Sequence, residues 1–232
     1  MIIAKDIIPA TFIRRPNRFL GYVNLKGDEI PCFIPDPGRL KELLYKEKTV
    51  YLTSAIKKAR KTDYDLVAVE HEGKIVSIDS RVPNKHVYNL LMKGKLFKMK
   101  FDLIKPEYSY GKSRLDFFLI NGSDKYLVEV KGCNLVINEV ALFPDAPTTR
   151  GTRHVNELIN ALEDNYFSVI IFVIQRDDAR KFKANEEMDS KFSESLYLAK
   201  AKGVIIKALL NKIEMKDNNL YINYLNEIQL DF

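Results

Sequence analysis

The chain has 232 residues, of which 46% are hydrophobic, and it carries a net charge of +6. This composition is typical of a globular protein and excludes an intrinsically disordered chain. No apolar run approaches the roughly 20 residues that a helix needs to cross a membrane. The two cysteines, Cys32 and Cys133, form neither a disulfide framework nor a zinc-binding pattern.

The first residues, "MIIAKDIIPATFIRRPNRF", lack the long apolar segment and the small-residue cleavage site of a signal peptide. We therefore predict a cytoplasmic protein that has no membrane partner. The sequence pI of about 9.1 favours an acidic partner such as nucleic acid, although many basic proteins bind no polyanion.

Short apolar runs alternate with turns up to about residue 83. The turns at "KGD" and "EGK" separate strand-like segments, which predicts an all-β domain of about five strands. Small closed barrels have this spacing, and the oligonucleotide-binding barrel is one of them. One short helix is expected at "GRLKELLYK". We predict a β-barrel domain over residues 1–83.

Residues 84–232 carry a mixed α/β pattern. Asn84 is predicted to cap a helix that ends near Gly94. Strand patterns run from "KMKFDLIKPEY" through "SRLDFFLI" to "KYLVEVKG", and apolar residues at helical spacing predict a helix at about 149–164. The apolar run "SVIIFVIQR" indicates a strand buried on both faces. The predicted fold class is α+β with two domains, a small barrel followed by a mixed α/β domain.

Two turns in the second region predict three neighbouring strands. A turn in "INGSDK" pairs Asp116 with Glu129, and a turn in "YGKS" pairs Glu107 with Asp116. Because side chains alternate between the faces of a sheet, these three acids share a face with Arg114 and Lys131. The opposite face is predicted to be core and holds Tyr108, Leu115, Phe117, Leu119, Tyr126, Val128 and Val130.

The acidic face has two interpretations. An alternating strand usually has a solvated face, on which Arg114 and Lys131 would simply offset the acids. Surface faces, however, normally pair opposite charges across strands, whereas here an acid faces an acid. In the second interpretation, Glu107, Asp116 and Glu129 bind Mg²⁺ or Mn²⁺ together with water and phosphate oxygens. Asp116 and Glu129 are then catalytic with Lys131, which orients the nucleophile or offsets developing negative charge.

An acid followed at hairpin distance by Glu-x-Lys resembles the active-site motif of the PD-(D/E)xK nuclease superfamily. Asp116 is the first acid here, and "EVK" at 129–131 is the second element. The motif is weak by itself and gains strength from the predicted hairpin and the helix that follows. The two literal Pro-Asp pairs, at 35–36 and 144–145, do not precede Glu129 at hairpin distance.

Basic side chains lie where the helix predicted at about 149–164 begins. Arg150, Arg153 and His154 are found there, and the free N–H groups of a helix N-terminus add to such residues in binding phosphate. The alternative is a solvated helix face. Gln175 and Arg176 follow the buried strand, and ligands commonly gather at the carboxyl ends of such strands. His154, Gln175 and Arg176 are therefore candidates for lining the site.

Several segments together resemble the sugar fermentation stimulation protein A family: "FIRRPNRFL", "PGRLKELL", "GKSRLDFFL", "VEVKG", "ALFPDAPTTRGTRHVNEL" and "FVIQRDD". The block "FPDAPTTRG" is the most specific of them, and the resemblance extends over nearly the whole chain. It implies a DNA-binding protein with an N-terminal oligonucleotide-binding barrel and a PD-(D/E)xK-like domain. It also maps Glu107, Asp116, Glu129 and Lys131 to the nuclease-like site. The chain departs from the family pattern at 184–185, at 189–190 and in "PDPGRL", away from the acids.

Lysine and arginine outnumber acidic residues before residue 85, and aromatic residues lie among them. Such a combination suits single-stranded nucleic acids, because the charges contact phosphates while the rings stack on bases. Each aromatic residue has an alternative role in the core, and each basic residue in solubility. The predicted nucleic-acid-binding residues are Arg14, Arg15, Arg18, Arg39, Arg60, Lys61, Arg114, Arg150 and Arg153.

The sequence leaves three functions open. The first is a Mg²⁺- or Mn²⁺-dependent nuclease that acts on DNA or RNA. The second is a DNA-binding regulatory protein that keeps a nuclease fold without catalysis. The third, a sugar-directed enzyme with two carboxylates as acid and base, is disfavoured because the chain has no tryptophan to form a carbohydrate platform.

Overall fold

The computed structural model of the protein describes residues 1–55, 61–97 and 99–232. The strands of the first 80 residues are β1 (Ile2–Ala4), β2 (Ile8–Asn17), β3 (Leu20–Leu25), β4 (Asp28–Phe33), β5 (Thr49–Ser54), β6 (Tyr64–His71) and β7 (Lys74–Ser77). The later strands are β8 (Leu103–Tyr110), β9 (Ser113–Asn121), β10 (Asp124–Cys133), β11 (Val136–Ile137), β12 (Val140–Phe143), β13 (Phe167–Ile174), β14 (Lys181–Ala184), β15 (Ile205–Lys216), β16 (Asn219–Glu227) and β17 (Gln229–Leu230). The helices are α1 (Val82–Met92), α2 (Thr149–Glu163) and α3 (Ser190–Lys202).

The chain divides into two compact units. The first, called the barrel unit below, contains Met1–Val82 and two later segments, Gln175–Asp178 and Leu210–Leu225. The second, called the α/β unit, contains the rest of the described chain. This division differs from the contiguous one predicted, 1–83 and 84–232. The pattern of strand β15 does not reveal the difference, because its apolar residues continue unchanged from one unit into the other.

The barrel unit confirms the predicted N-terminal barrel. Strands β2, β3 and β4 form an antiparallel meander, and β5 pairs with both β2 and β6. A parallel pairing of β4 with β6, at Cys32–Tyr64 and Phe33–Asp65, closes the five strands into a barrel. Alternate side chains point inwards, so that Val23, Leu52 and Leu66 are fully buried.

The short helix predicted at "GRLKELLYK" is wrong, because this segment forms only turns. Its leucines still fill the barrel, where Leu40 and Leu43 are buried. A helix needs its first carbonyls to accept from N–H groups one turn later. Here the carbonyls of Gly38 and Arg39 accept from the Arg15 guanidinium instead, at 2.9 and 2.8 Å.

The α/β unit confirms the predicted mixed domain. Strands β8, β9 and β10 are antiparallel neighbours, and β13 pairs with β10 in parallel. The run Val169–Ile174 of β13 is completely buried, as its apolar pattern predicts. Helix α2 packs on β9, β10 and β13, while Tyr88 of α1 stacks on Phe117 of β9. Strands β11, β12, β14 and β17 form a second, smaller sheet.

Helix α2 begins and ends within a residue of the prediction, and Val155 and Leu158 of its apolar stripe are fully buried. Helix α1 begins at Val82, two residues before the predicted cap, so Asn84 lies in its first turn. Of the helices in the described ranges, none is both long enough and apolar enough to cross a bilayer.

Candidate active site

Helix α2 is capped at its start and is bonded to the β8–β9 turn further along. At its start, Thr148 Oγ1 accepts a hydrogen bond from the N–H of Gly151 at 3.0 Å. A Cβ on Gly151 would lie 2.7 Å from the Thr148 methyl carbon, so the capped turn requires glycine. Further along, Glu157 Oε1 accepts from the N–H of Lys112, in the β8–β9 turn, at 2.9 Å. The contact of Glu157 ties α2 to the β8–β9 turn and so helps to fix which side chains of α2 face the strands.

The predicted register of β9 and β10 is confirmed. Ile120 pairs with Lys125 and Phe118 with Leu127, so the same register places Asp116 opposite Glu129. The side chain of Asp116 replaces the backbone ladder at this point, because its Oδ2 accepts from the N–H of Val130 at 2.7 Å. The two acids therefore come together as the sequence predicts.

A residue of α1 completes the surroundings of Asp116. The side-chain amide of Asn84 donates to Asp116 Oδ1 at 2.6 Å. The sequence predicts Asn84 as a helix cap, and this second role depends on how α1 packs beside β9. Burial is the largest effect on Asp116, and the neighbouring Glu129 adds to it, so that the pKa of Asp116 rises to about 6.

Glu129 is the central acid of the site and is only 2% exposed. One of its oxygens, Oε1, is in short contact with both Lys131 Nζ and His154 Nδ1. Its other oxygen, Oε2, is buried and has no hydrogen-bond donor within reach among the described residues. The carboxylate thus has hydrogen-bond partners at Oε1 but none among the described residues at the buried Oε2.

Burial acts to raise the pKa of Glu129, but Lys131 and His154 outweigh it, and the pKa lies below its usual value. Glu129 is therefore ionised over the range in which Asp116 titrates. Two adjacent carboxylates, of which one stays charged while the other titrates, form a site that gains from a cation.

The imidazole of His154 connects α2 to this pair. His154 is 2% exposed, and its Nε2 accepts from Arg150 Nε at 3.4 Å. A nitrogen that accepts carries no proton, so the other nitrogen, Nδ1, carries it and donates to Glu129. The sequence placed Arg150 and His154 at a helix start, and the contact with Glu129 follows from the seating of α2.

Glu107, the third predicted acid, does not join the buried pair. Its side chain is 65% exposed, and its Oε2 lies 3.4 Å from the Arg114 guanidinium. Its φ of +55° interrupts the regular alternation of β8. As a result Tyr108, predicted on the core face, stacks on Phe118 of the acidic face with ring centroids 4.5 Å apart. Arg114, predicted to bind nucleic acid, is therefore paired with an acid on the surface.

The predicted solvated face is also not found around the acid pair, because α2 covers it. Within residues 1–55, 61–97 and 99–232, no three His, Cys, Asp or Glu side chains are grouped to hold a metal ion. Two carboxylates are nevertheless the usual protein contribution to a Mg²⁺ site, where water and phosphate oxygens supply the other ligands. The open Oε2 of Glu129 and the crowding of the two acids fit such an ion.

Gln175 and Arg176, predicted to line the site, belong to the barrel unit. Both are buried, and Ser77 Oγ donates to Gln175 Oε1 at 3.1 Å. The guanidinium of Arg176 binds Asp178 through two hydrogen bonds of 2.6 and 2.5 Å. These contacts give both residues a structural part within the barrel unit.

Arg15 of the predicted nucleic-acid surface also has a structural role. In addition to Gly38 and Arg39, its guanidinium donates to the carbonyls of Asp36 and Arg18, at 2.8 and 2.6 Å. A group used by four acceptors is not available to a phosphate. The sequence does not reveal this, because the carbonyls lie on two loops that only the barrel brings together.

The remaining basic candidates differ in their surroundings. Arg14 binds Glu29 at 2.6 Å and lies 3.7 Å from the centre of the Tyr22 ring. Arg153 is exposed on α2, and Arg60 lies outside the described residues. Arg18, Arg39 and Lys61 of the barrel unit are exposed, as Arg14 is.

One aromatic side chain of the barrel unit stands out. Phe19 is 48% exposed and stacks on Phe33, with ring centroids 6.0 Å apart. It follows Arg18 directly in the chain. Phe12, another aromatic residue among the basic clusters, is buried in the barrel core.

Two protein-family models match successive parts of this chain. Residues 13–78 match the SfsA N-terminal OB domain, and residues 81–217 match the sugar fermentation stimulation protein RE domain.

Relatives and a solved structure agree with these matches. The sugar fermentation stimulation protein homolog of Clostridium tetani is 45% identical over 90% of this chain and 91% of its own length. The homolog of Clostridium novyi is 44% identical over 87% of this chain and 89% of its own. This chain is also similar to the solved structure of Pyrococcus furiosus SfsA in complex with Ca²⁺. The alignment covers 100% of each chain, with a TM-score of 0.88 and 32% sequence identity.

Proposed function

We propose, since the chain belongs to the sugar fermentation stimulation protein A family, that it hydrolyses phosphodiester bonds of DNA or RNA with Mg²⁺ or Mn²⁺ at Asp116 and Glu129. One observation carries this proposal, the buried Oε2 of Glu129 that lacks a donor among the described residues. A buried acceptor left without a partner costs about 1–3 kcal/mol, and a cation removes that cost. The Pyrococcus furiosus relative was solved with Ca²⁺, which shares with Mg²⁺ its preference for oxygen ligands.

An ion held by these two acids would supply Lewis acidity to activate water and to offset the charge of the phosphate. Asp116 and Glu129 supply the protein oxygens. Asn84 and the N–H of Val130 hold Asp116 in position. Lys131, whose side chain is largely buried beside Glu129, brings a positive charge that stabilises negative charge developing on the phosphate.

The test is cleavage of labelled single- and double-stranded DNA and RNA with Mg²⁺ or Mn²⁺. We expect Asp116→Asn and Glu129→Gln to lower the rate at least about 100-fold, as expected when charge stabilisation at the reacting centre is lost. Asp124→Asn is the matched control, since Asp124 lies at the turn of the same hairpin. Absence of cleavage by the wild type, or unchanged cleavage in both variants, contradicts the proposal.

A second candidate function is nucleic-acid binding without catalysis, and the exposed Phe19 beside Arg18 favours it. A partly exposed ring next to arginines suits a stacked base and its phosphate. Binding through phosphates weakens steeply with salt. If the protein binds DNA in a salt-dependent way, and Asp116→Asn and Glu129→Gln bind it equally well while no form cleaves it, the non-catalytic function is the correct one.

A further inference from the structure

Two side-chain donors at Glu129 both contact the same oxygen. Lys131 Nζ and His154 Nδ1 meet at Oε1, while Oε2 has no donor among the described residues. A carboxylate held on one side by two donors has a fixed orientation. The oxygen that is left for a metal ion is therefore determined by the residues around Oε1.

Lys131 and His154 differ in how rigidly they can hold the carboxylate of Glu129 in one orientation. Lys131 is a neighbour of Glu129 on the same strand, and its ammonium sits on a flexible chain with three rotatable donors. His154 carries a rigid ring and is one of the buried residues of α2. Helix α2 is itself bonded to the β8–β9 turn through Glu157. The position of the imidazole is thus set by tertiary structure.

The tautomer of His154 is set by a third residue. Arg150 Nε donates to His154 Nε2, and an arginine nitrogen cannot accept. The proton of the neutral ring is therefore on Nδ1, which donates it to Glu129. Arg150 and His154 stand four residues apart on α2, the spacing at which helical side chains are neighbours.

We infer that His154 is a positioning residue that turns Oε2 of Glu129 towards the metal ion, with Arg150 holding the ring in the Nδ1–H tautomer. This inference rests on the proposed function, because it gives the metal ligand its orientation. His154 does not touch the phosphate or the reacting water. Removal of such an outer hydrogen bond typically lowers metal affinity 10- to 100-fold.

The test is Mn²⁺ affinity, measured by calorimetry or electron paramagnetic resonance without nucleic acid. We expect His154→Ala to weaken binding 10- to 100-fold. His154→Asn should stay within about threefold of the wild type, since its amide nitrogen replaces Nδ1. His154→Gln, whose amide reaches the Nε2 position instead, should resemble His154→Ala. His86→Ala is the matched control, because it also removes a buried imidazole from the α/β unit.

The tautomer has an independent readout in the metal-free wild type. The chain has only three histidines, so nitrogen NMR of the rings can assign each, and His154 is expected as the Nδ1–H form. If His154→Ala does not fold, the comparison of His154→Asn with His154→Gln still decides the question.

Three results overturn the inference. They are an Nε2–H tautomer, equal affinities of His154→Asn and His154→Gln, and wild-type affinity in His154→Ala. If Asp116→Asn loses Mn²⁺ binding while His154→Ala keeps it, the proposed metal site stands and only the role of His154 fails. If the wild type binds no Mn²⁺, both fail.

Discussion

In the barrel unit the guanidinium of Arg15 donates to four backbone carbonyls. In the α/β unit, by contrast, the carboxylate of Glu129 keeps one buried oxygen without a donor among the described residues. Both side chains are charged and both were candidates from the sequence. The comparison shows that charge alone does not identify a binding residue. What distinguishes the two is that backbone carbonyls use both terminal nitrogens of Arg15, whereas no donor among the described residues reaches Oε2 of Glu129.

The strongest test of the structural part of this comparison is Arg15→Ala. We expect it to lower the free energy of unfolding by about 2–3 kcal/mol, because four carbonyls lose their donor and two of these bonds are partly buried. Arg18→Ala, which removes an exposed side chain, should change it by less than about 0.5 kcal/mol. Thermal or denaturant unfolding measures both. A stable Arg15→Ala protein with weakened DNA binding would instead restore Arg15 to the binding surface.

The burial of Asp116 next to Glu129 predicts a pH effect on stability. The folded pKa of Asp116, about 6, exceeds its ordinary value of 3.8, so the folded protein binds the extra proton between these values. Stability of the metal-free protein should therefore fall as pH rises from about 4 to 6, by about 2 kcal/mol. The lowered pKa of Glu129 acts in the opposite direction but only below its ordinary value of 4.5.

Asp116→Asn should remove this fall, because it removes the titrating group. Chemical denaturation of both proteins across pH 4–7 measures the effect. A wild-type protein whose stability rises through the same pH range would show that the two carboxylates are not crowded.

Phe19 and Arg18 provide a test of whether the barrel unit binds single-stranded DNA. Phe19→Ala should weaken binding of single-stranded DNA by about 1–2 kcal/mol, through loss of base stacking. Because stacking releases no counterions, the slope of affinity against salt should stay the same. Arg18→Ala should reduce that slope by about 1. Titration at several salt concentrations distinguishes the two effects, and unchanged affinity in both variants would remove the barrel as a binding surface.

The smallest effect is expected at Glu107. The structure pairs this acid with Arg114 on the surface, so Glu107→Gln should change Mn²⁺ affinity and stability by less than about 0.5 kcal/mol. The same calorimetric titration used for His154 measures it. A loss as large as that of Glu129→Gln would return Glu107 to the metal site and restore the row of three acids.

The local sequence pattern was sufficient to predict the structure where a strand pairs with the next strand in the chain. The register of β9 and β10, and with it the approach of Asp116 to Glu129, followed from one turn and strict alternation. Glu107 departed from the same rule because a single residue with positive φ reverses which face the following side chain takes. Neither the residue type nor its neighbours in the sequence predict that conformation.

The sequence by itself determined the family, the barrel followed by an α/β unit, and the pair Asp116–Glu129 with Lys131. Periodicity and turn chemistry are local properties, and a family motif is read directly from the letters. Tertiary structure alone decided that Arg15 is used by two loops, that Asn84 supports Asp116 and that His154 holds Glu129. Each of these is a hydrogen bond between residues distant in the chain. Such bonds depend on how helices and loops are seated, which no local pattern encodes.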